Sequence, residues 1–131
     1  EWAIEFYHGY TYSGHPLASA AANATLQTYE LEGLFERSKV LSPYFEEAVH
    51  SLKGLPNVID IRNYGLMCGI QLLPVENKPL QRTHDIFEKC FEKNVLVRAA
   101  GENIALTPPL IATEEDIDLI VDTLRNAINR A

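Results

Sequence analysis

The chain is 131 residues long, one domain's worth, and a 47 % share of hydrophobic residues is enough to build a core. A net charge of −7 argues against binding nucleic acid through a basic face. No run of roughly eighteen apolar residues is present to span a membrane as a helix; 18–24 is apolar-rich but short, and Ser19 and Asn23 interrupt it.

Cys68 and Cys90 lack CxxC spacing, and the four histidines show no ligand spacing around them. They read as reduced, buried thiols of a cytoplasmic protein, and no metal site is expected. The sequence opens Glu1-Trp2-Ala3-Ile4, without Met or a secretory signal, and reads as part of something longer.

The first feature is His8-Gly9-Tyr10-Thr11-Tyr12-Ser13-Gly14-His15-Pro16, just before a helical run. Pro16 suits the first helical position, where its missing N–H costs nothing. A hydroxyl-bearing, glycine-containing loop that feeds a helix N-terminus can hold an anion, because free N–H groups and the helix dipole both favour phosphate. The plain alternative is an ordinary loop. The helix runs over 16–31, and its alanines are strong helix formers expected to pack closely on another surface.

A second helix is predicted over 34–52, with Leu34, Leu41, Phe45, Ala48 and Leu52 on one face. Pro43 should kink or restart it. Strands follow at 58–62 and 66–73, joined by a turn at Asn63-Tyr64-Gly65. The first alternates from Ile59 onward; the second is nearly all apolar, as for a strand covered on both faces.

A third helix over 80–93 places Leu80, His84, Phe87 and Phe91 on one face. His84 reads as a packed or half-exposed histidine rather than a ligand. Strands at 95–98 and 103–106 flank Ala99-Ala100-Gly101-Glu102. Thr113 opens the last helix as an N-cap, with Asp116 completing a capping box. Its buried stripe is Ile117, Ile120, Val121, Leu124 and Ile128. The sum is an α+β fold of about four short strands covered by helices.

Arg98 ends a predicted strand before a glycine-containing turn, where a guanidinium could bind a carboxylate with two prongs; pairing with Glu102 is the plainer use. Asp60 and Arg62 share one strand face and suit an exposed ion pair. Asp85, Glu88 and Glu92 form a solvated helix face. There is no nucleophile with an adjacent base, no Walker loop and no GxGxxG. The five lysines fall on helices or in polar loops.

Three stretches together resemble the class III aminotransferases that use pyridoxal 5′-phosphate (PLP). They are the 8–16 loop, similar to the signature HG[FY]TYSxHP; 57–66 with Gly69-Ile70-Gln71, similar to the family's small-domain hairpin; and 97–104 with Pro108-Pro109, similar to its C-terminal arginine segment. The hairpin is most similar to the ω-amino acid–pyruvate branch, which includes β-alanine–pyruvate transaminase.

The resemblance implies PLP fold type I, with 1–32 as the end of the large cofactor domain and 33–131 as the C-terminal small domain. It implies that Thr11 contacts the PLP phosphate of a neighbouring subunit, that Tyr10 lines that neighbour's substrate pocket, and that Arg98 pairs with the substrate carboxylate and swings away for amines without one. It further implies a homodimer or homotetramer acting on an amino donor and a 2-oxo acid such as pyruvate. The Schiff-base lysine of the family lies upstream of the 8–16 block, so the chain reads as a piece that is inactive alone. Residues 1–15 are then expected to be less ordered than in the parent. The rival readings are a free-standing small-molecule-binding or regulatory domain and a dimerisation module.

Overall fold

A computed structural model describes residues 9–131. His8, and the part of the order expectation that falls on 1–8, lie outside the described residues. The chain divides after Gly33 into two compact units, each described by itself.

In the first unit, helix α1 spans Pro16–Leu31 with Pro16 at its start. His15 is its N-cap, and its Nδ1 accepts the Ala18 N–H at 3.3 Å. No residue of α1 is buried, against the expectation of a packed alanine face. Alanine favours the helical backbone but brings little apolar area of its own. The apolar residues of α1 therefore give it a stable backbone without a wide apolar stripe.

The second unit begins with α2, Leu34–His50. It does not restart at Pro43: the helix is continuous, and Pro43 sits on an exposed position. Strand β1 (Val58–Tyr64) and β2 (Met67–Leu72) form an antiparallel hairpin with Tyr64 opposite Met67. The turn is thus Gly65-Leu66, two residues long rather than centred on Asn63-Tyr64-Gly65. Gly65 has φ +55°, as the first central residue of a type II′ turn requires. Helix α3 (Gln81–Phe91), β3 (Arg98–Ala100), β4 (Asn103–Leu106) and α4 (Glu114–Ile128) complete the chain. The sheet order is β1-β2-β4-β3, antiparallel throughout.

Helix α4 packs against both α2 and α3; α2 also contacts β1, and α3 contacts β3 and β4. All three helices join one core with Ile61, Cys68, Ile70, Leu72, Ile104 and Leu106 from the sheet. The burial of β2 alternates, with Cys68, Ile70 and Leu72 buried and Met67 56 % exposed. The second strand is therefore covered on one face only, not two. A bulge between Val58 and Asp60 breaks the alternation expected in β1, and Ile59 is exposed while Ile61 is buried.

Helix α3 is rotated from the predicted stripe. It buries Thr83, Ile86 and Cys90, while Leu80, His84 and Phe91 are exposed. The Thr83 hydroxyl makes this possible, since it lies 3.0 Å from the carbonyls of both Leu80 and Gly101 and so can be buried without loss. Phe87 and Phe91 stack on each other with centroids 6.1 Å apart. In α4 the predicted stripe holds: Ile117, Val121, Leu124 and Ile128 are buried, with Ile120 half-buried.

The capping box of α4 is complete. Thr113 Oγ1 accepts the Asp116 N–H (3.2 Å), and Asp116 Oδ2 accepts the Thr113 N–H (2.9 Å). Polar ties join α2 to the last part of the chain: Arg37 donates to the carbonyls of Ile111 and Ala112, Tyr44 donates to Asp118 Oδ1 at 2.7 Å, and Arg125 donates to Ser51.

Two outcomes follow. Thr113→Ala removes the cap oxygen and should lower stability by about 1 kcal/mol in denaturant unfolding. The Tyr44 bond to Asp118, then partial burial, then the charges of Asp118, Glu114 and Glu115 push the Tyr44 phenol up to about 12. An unfolded tyrosine titrates near 10, so this contribution is whole below about pH 10 and is lost as pH rises through about 12. Tyr44→Phe should flatten the fall in stability across that window in urea unfolding, leaving only the part due to other groups.

Candidate functional site

Two sites carry the predicted residues, one in each unit. In the first, Tyr10 and Thr11 are neighbours on the loop before α1. The loop is closed by Ser13 N–H to Tyr10 C=O (3.0 Å), His15 N–H to Tyr12 C=O (3.1 Å) and Tyr10 N–H to Ser13 Oγ (3.2 Å). The Ser13 hydroxyl oxygen thus accepts a bond within the loop. The Thr11 side chain is exposed and has no hydrogen bond among the described residues.

Of the first helical amides, Ala18 is held by the His15 ring and Ser19 by the His15 carbonyl. The anion-binding capacity of this helix start is therefore smaller than its sequence suggested, and hydroxyl donors such as those of Thr11 and Ser13 are left to supplement it. No Lys or Arg occurs from Gly9 to Leu31. The loop can donate a hydrogen bond to a phosphate, but it cannot neutralise one.

In the second unit, Arg98 begins β3 rather than ending a strand, because 95–97 lies outside the ladder although Val95 and Val97 are buried. Arg98 is opposite Ala105 of β4, Ala105 opposite Gly69 of β2, and Gly69 opposite Arg62 of β1. Directly opposed residues share a face. Both arginines therefore stand on the open face of the sheet, with only glycine and alanine between them.

Their surroundings differ. Arg62 binds Asp60 at 2.7 Å, Gln71 at 3.2 Å and Asn103 at 3.2 Å. Arg98 is exposed, and its guanidinium makes no hydrogen bond or ion pair among the described residues. It is one of the residues lining an open, largely apolar cavity of about 730 Å3, with Phe87, Leu96, Pro108 and Ile120.

Glu102 is not the partner of Arg98. Its Oε1 accepts the Leu80 N–H at 2.7 Å instead. Sequence reading missed this role, since a carboxylate in a turn points to the nearest cation before it points to an amide twenty-two positions back. The one signal available is Pro79-Leu80, a helix start with no Ser, Thr, Asp or Asn to cap it.

The remaining candidates carry no chemistry of their own. His84 is exposed with Nε2 3.3 Å from Glu88, and among the described residues no cluster of His, Cys, Asp or Glu could hold a metal. Cys68 and Cys90 are free and buried, and burial pushes each thiol up to about 11, so neither is a thiolate at neutral pH. None of the five lysines is buried. No helix among the described residues is long and apolar enough to cross a membrane.

The profile of the family described as Aminotransferase class-III matches residues 3–128. An omega-aminotransferase of Caulobacter vibrioides is 46 % identical over 97 % of this chain. A beta-alanine–pyruvate aminotransferase of Pseudomonas aeruginosa is 40 % identical over 98 % of it. The chain spans 29 % of the length of each of these relatives. Among solved structures, the PMP-bound form of an aminotransferase from Vibrio fluvialis matches with a TM-score of 0.83 and 31 % identity, covering 96 % of this chain and 29 % of that one. The free arginine on the open sheet and the hydroxyl loop before α1 are thus features of a chain that belongs to the class-III aminotransferases.

Proposed function

We propose that this chain is the C-terminal part of a PLP-dependent aminotransferase that moves an amino group from an ω-amino acid or amine, such as β-alanine, to pyruvate. Its membership of the family and the names of its relatives support the reaction class. The observation that carries the substrate class is Arg98, exposed on the open sheet face without an internal partner.

In this reading the cofactor, when bound, supplies the electron sink that lets the amino group pass from donor to acceptor. Thr11 donates a hydrogen bond to the cofactor phosphate of a neighbouring subunit. Tyr10 walls the neighbour's substrate pocket. Arg98 receives the carboxylate of a β-amino acid or of pyruvate through two parallel N–H donors, which fixes the orientation of the substrate. Its side chain, held by no other group, turns outward for an amine that lacks a carboxylate. The lysine that carries the cofactor and moves the proton belongs to the rest of the enzyme.

Arg98→Ala, made in the full-length enzyme, should raise KM for β-alanine by about tenfold to a hundredfold in the first half-reaction, the range of a lost charge-assisted pair. KM for an amine without a carboxylate should stay within twofold or so of its starting value, because no charge-assisted pair is lost. Equal shifts for the two donors would sink the assignment of Arg98.

Thr11→Ala should weaken retention of PLP about tenfold, read as cofactor dissociation, while Thr11→Ser keeps the hydroxyl and the affinity. Unchanged retention in the alanine variant would remove Thr11 from the phosphate site.

A further inference from the structure

The hairpin that carries Arg98 is short. β3 has three residues, stands at the edge of the sheet and pairs only with β4. Its turn, Gly101-Glu102, is reached two residues after Arg98's neighbour Ala99, and Gly101 needs φ +61°. β4 is held by its ladder to β2, but β3 has only β4 beside it in the sheet, so contacts at the hairpin tip add to what fixes β3.

Glu102 and its neighbour hold that tip to two other elements. The Glu102 carbonyl accepts the Leu72 N–H (2.8 Å) at the end of β2. Its carboxylate Oε1 accepts the Leu80 N–H (2.7 Å) at the start of α3. The buried Thr83 hydroxyl, 1 % exposed, lies 3.0 Å from the Gly101 carbonyl. Leu80 is the N-cap of α3, has φ +66° and offers no side-chain cap, a left-handed conformation that is costly for leucine. The Glu102 carboxylate binds the amide of the N-cap residue itself, as the N3 carboxylate of a capping box would, and it sits at the positive end of the α3 dipole. The other oxygen, Oε2, is buried without a hydrogen-bond partner, so this carboxylate was not placed there for solvation.

We propose that Glu102 is a positioning residue for Arg98: by binding the α3 start it fixes the β3–β4 tip, and so the backbone from which Arg98 reaches a substrate carboxylate. This rests on the reading of Arg98 as the carboxylate receptor. A fixed base lets the long side chain turn between bound and free positions while its strand stays in register. Without the carboxylate tie the tip keeps its backbone bond to Leu72 and the Thr83 contact but loses its bond to the start of α3, and the backbone that carries Arg98 is less firmly fixed on that side.

The test uses the full-length enzyme with Glu102→Ala, Glu102→Gln and Arg98→Ala side by side. Readouts are KM and kcat for β-alanine and for an amine without a carboxylate, and hydrogen exchange at the Leu80 amide. Glu102→Ala should raise KM for β-alanine about tenfold, the scale expected for a misplaced binding group, with kcat at saturation and the amine unchanged. Leu80 exchange should quicken. Glu102→Gln keeps an amide oxygen for the Leu80 N–H and should restore both values.

Faster Leu80 exchange with no donor-selective change in KM overturns the proposal while the Arg98 reading stands. If Arg98→Ala itself leaves the two donors alike, the Arg98 reading falls and the proposal falls with it. Should Glu102→Ala fail to fold, Glu102→Asp carries the test. It keeps the charge, loses one methylene of reach and must show the same donor-selective rise, and its absence overturns the proposal.

Discussion

The second unit depends on a four-stranded sheet that is covered on one side only. Helices α2, α4 and α3 take the face that bears Ile61, Ile70, Leu72, Ile104 and Leu106. The other face holds Asp60, Arg62, Gly69, Gln71, Asn103, Ala105 and Arg98 at successive register positions. Antiparallel sheets tolerate this arrangement because each strand can alternate apolar and polar residues. On that face two arginines meet the same solvent and the same small neighbours. What separates them is hydrogen bonding. Arg62 is anchored to Asp60, Gln71 and Asn103, whereas the Arg98 guanidinium has no such anchor among the described residues.

The two hairpins of the sheet show why location matters for that difference. β1 and β2 share a long ladder and a tight two-residue turn, and both contribute buried residues to the core. β3 contributes none, and its ladder to β4 has three paired positions. Backbone bonds contribute about 1 kcal/mol each at best in net terms, so a strand of this size is not self-supporting. Side-chain ties from Thr83 and Glu102 supply what the ladder lacks. An edge strand that is held by its tip is a suitable carrier for a residue that must stay exposed: the core does not need its side chains, and its backbone is still fixed.

Much of this was readable from residue order alone, and the errors have physical causes. The four helices, three of the four strands and the α4 capping box follow from periodicity and cap chemistry, whereas the strand expected at 95–98 lies at Arg98–Ala100. Faces were harder. The apolar run at 66–73 suggested a strand covered twice, but Met67 and Leu73 lie exposed, because periodicity cannot say how many layers a sheet has. The α3 stripe was read from its largest apolar residues, and the helix instead buries Thr83, Ile86 and Cys90. Thr83 enters the core only because a carbonyl from a turn eighteen residues away waits for its hydroxyl, and no local pattern reveals that. Glu102 was misassigned for the same reason: its partner is an amide made available by the left-handed Leu80, a feature of the tertiary path rather than of spacing. The particular roles expected of Thr11 and Arg98 come from the resemblance; residue chemistry alone reads a candidate anion loop and a candidate carboxylate clamp.

The electrostatics of the described residues bear on what kind of contribution the chain makes. Wherever a titration is displaced, it moves away from neutral pH. Cys68 and Cys90 are pushed up to about 11 by burial, and Tyr44 to about 12 chiefly by its bond to Asp118. Each group is thereby held in its protonated, unreactive form under ordinary conditions. A site that moves protons needs the opposite, a group drawn toward the working pH by its neighbours. The lysines, meanwhile, all lie outside the buried core. What the chain does offer is a hydroxyl unspent by its own loop and a guanidinium unspent by its own sheet. A hydroxyl and a guanidinium are groups suited to binding and orienting an anion.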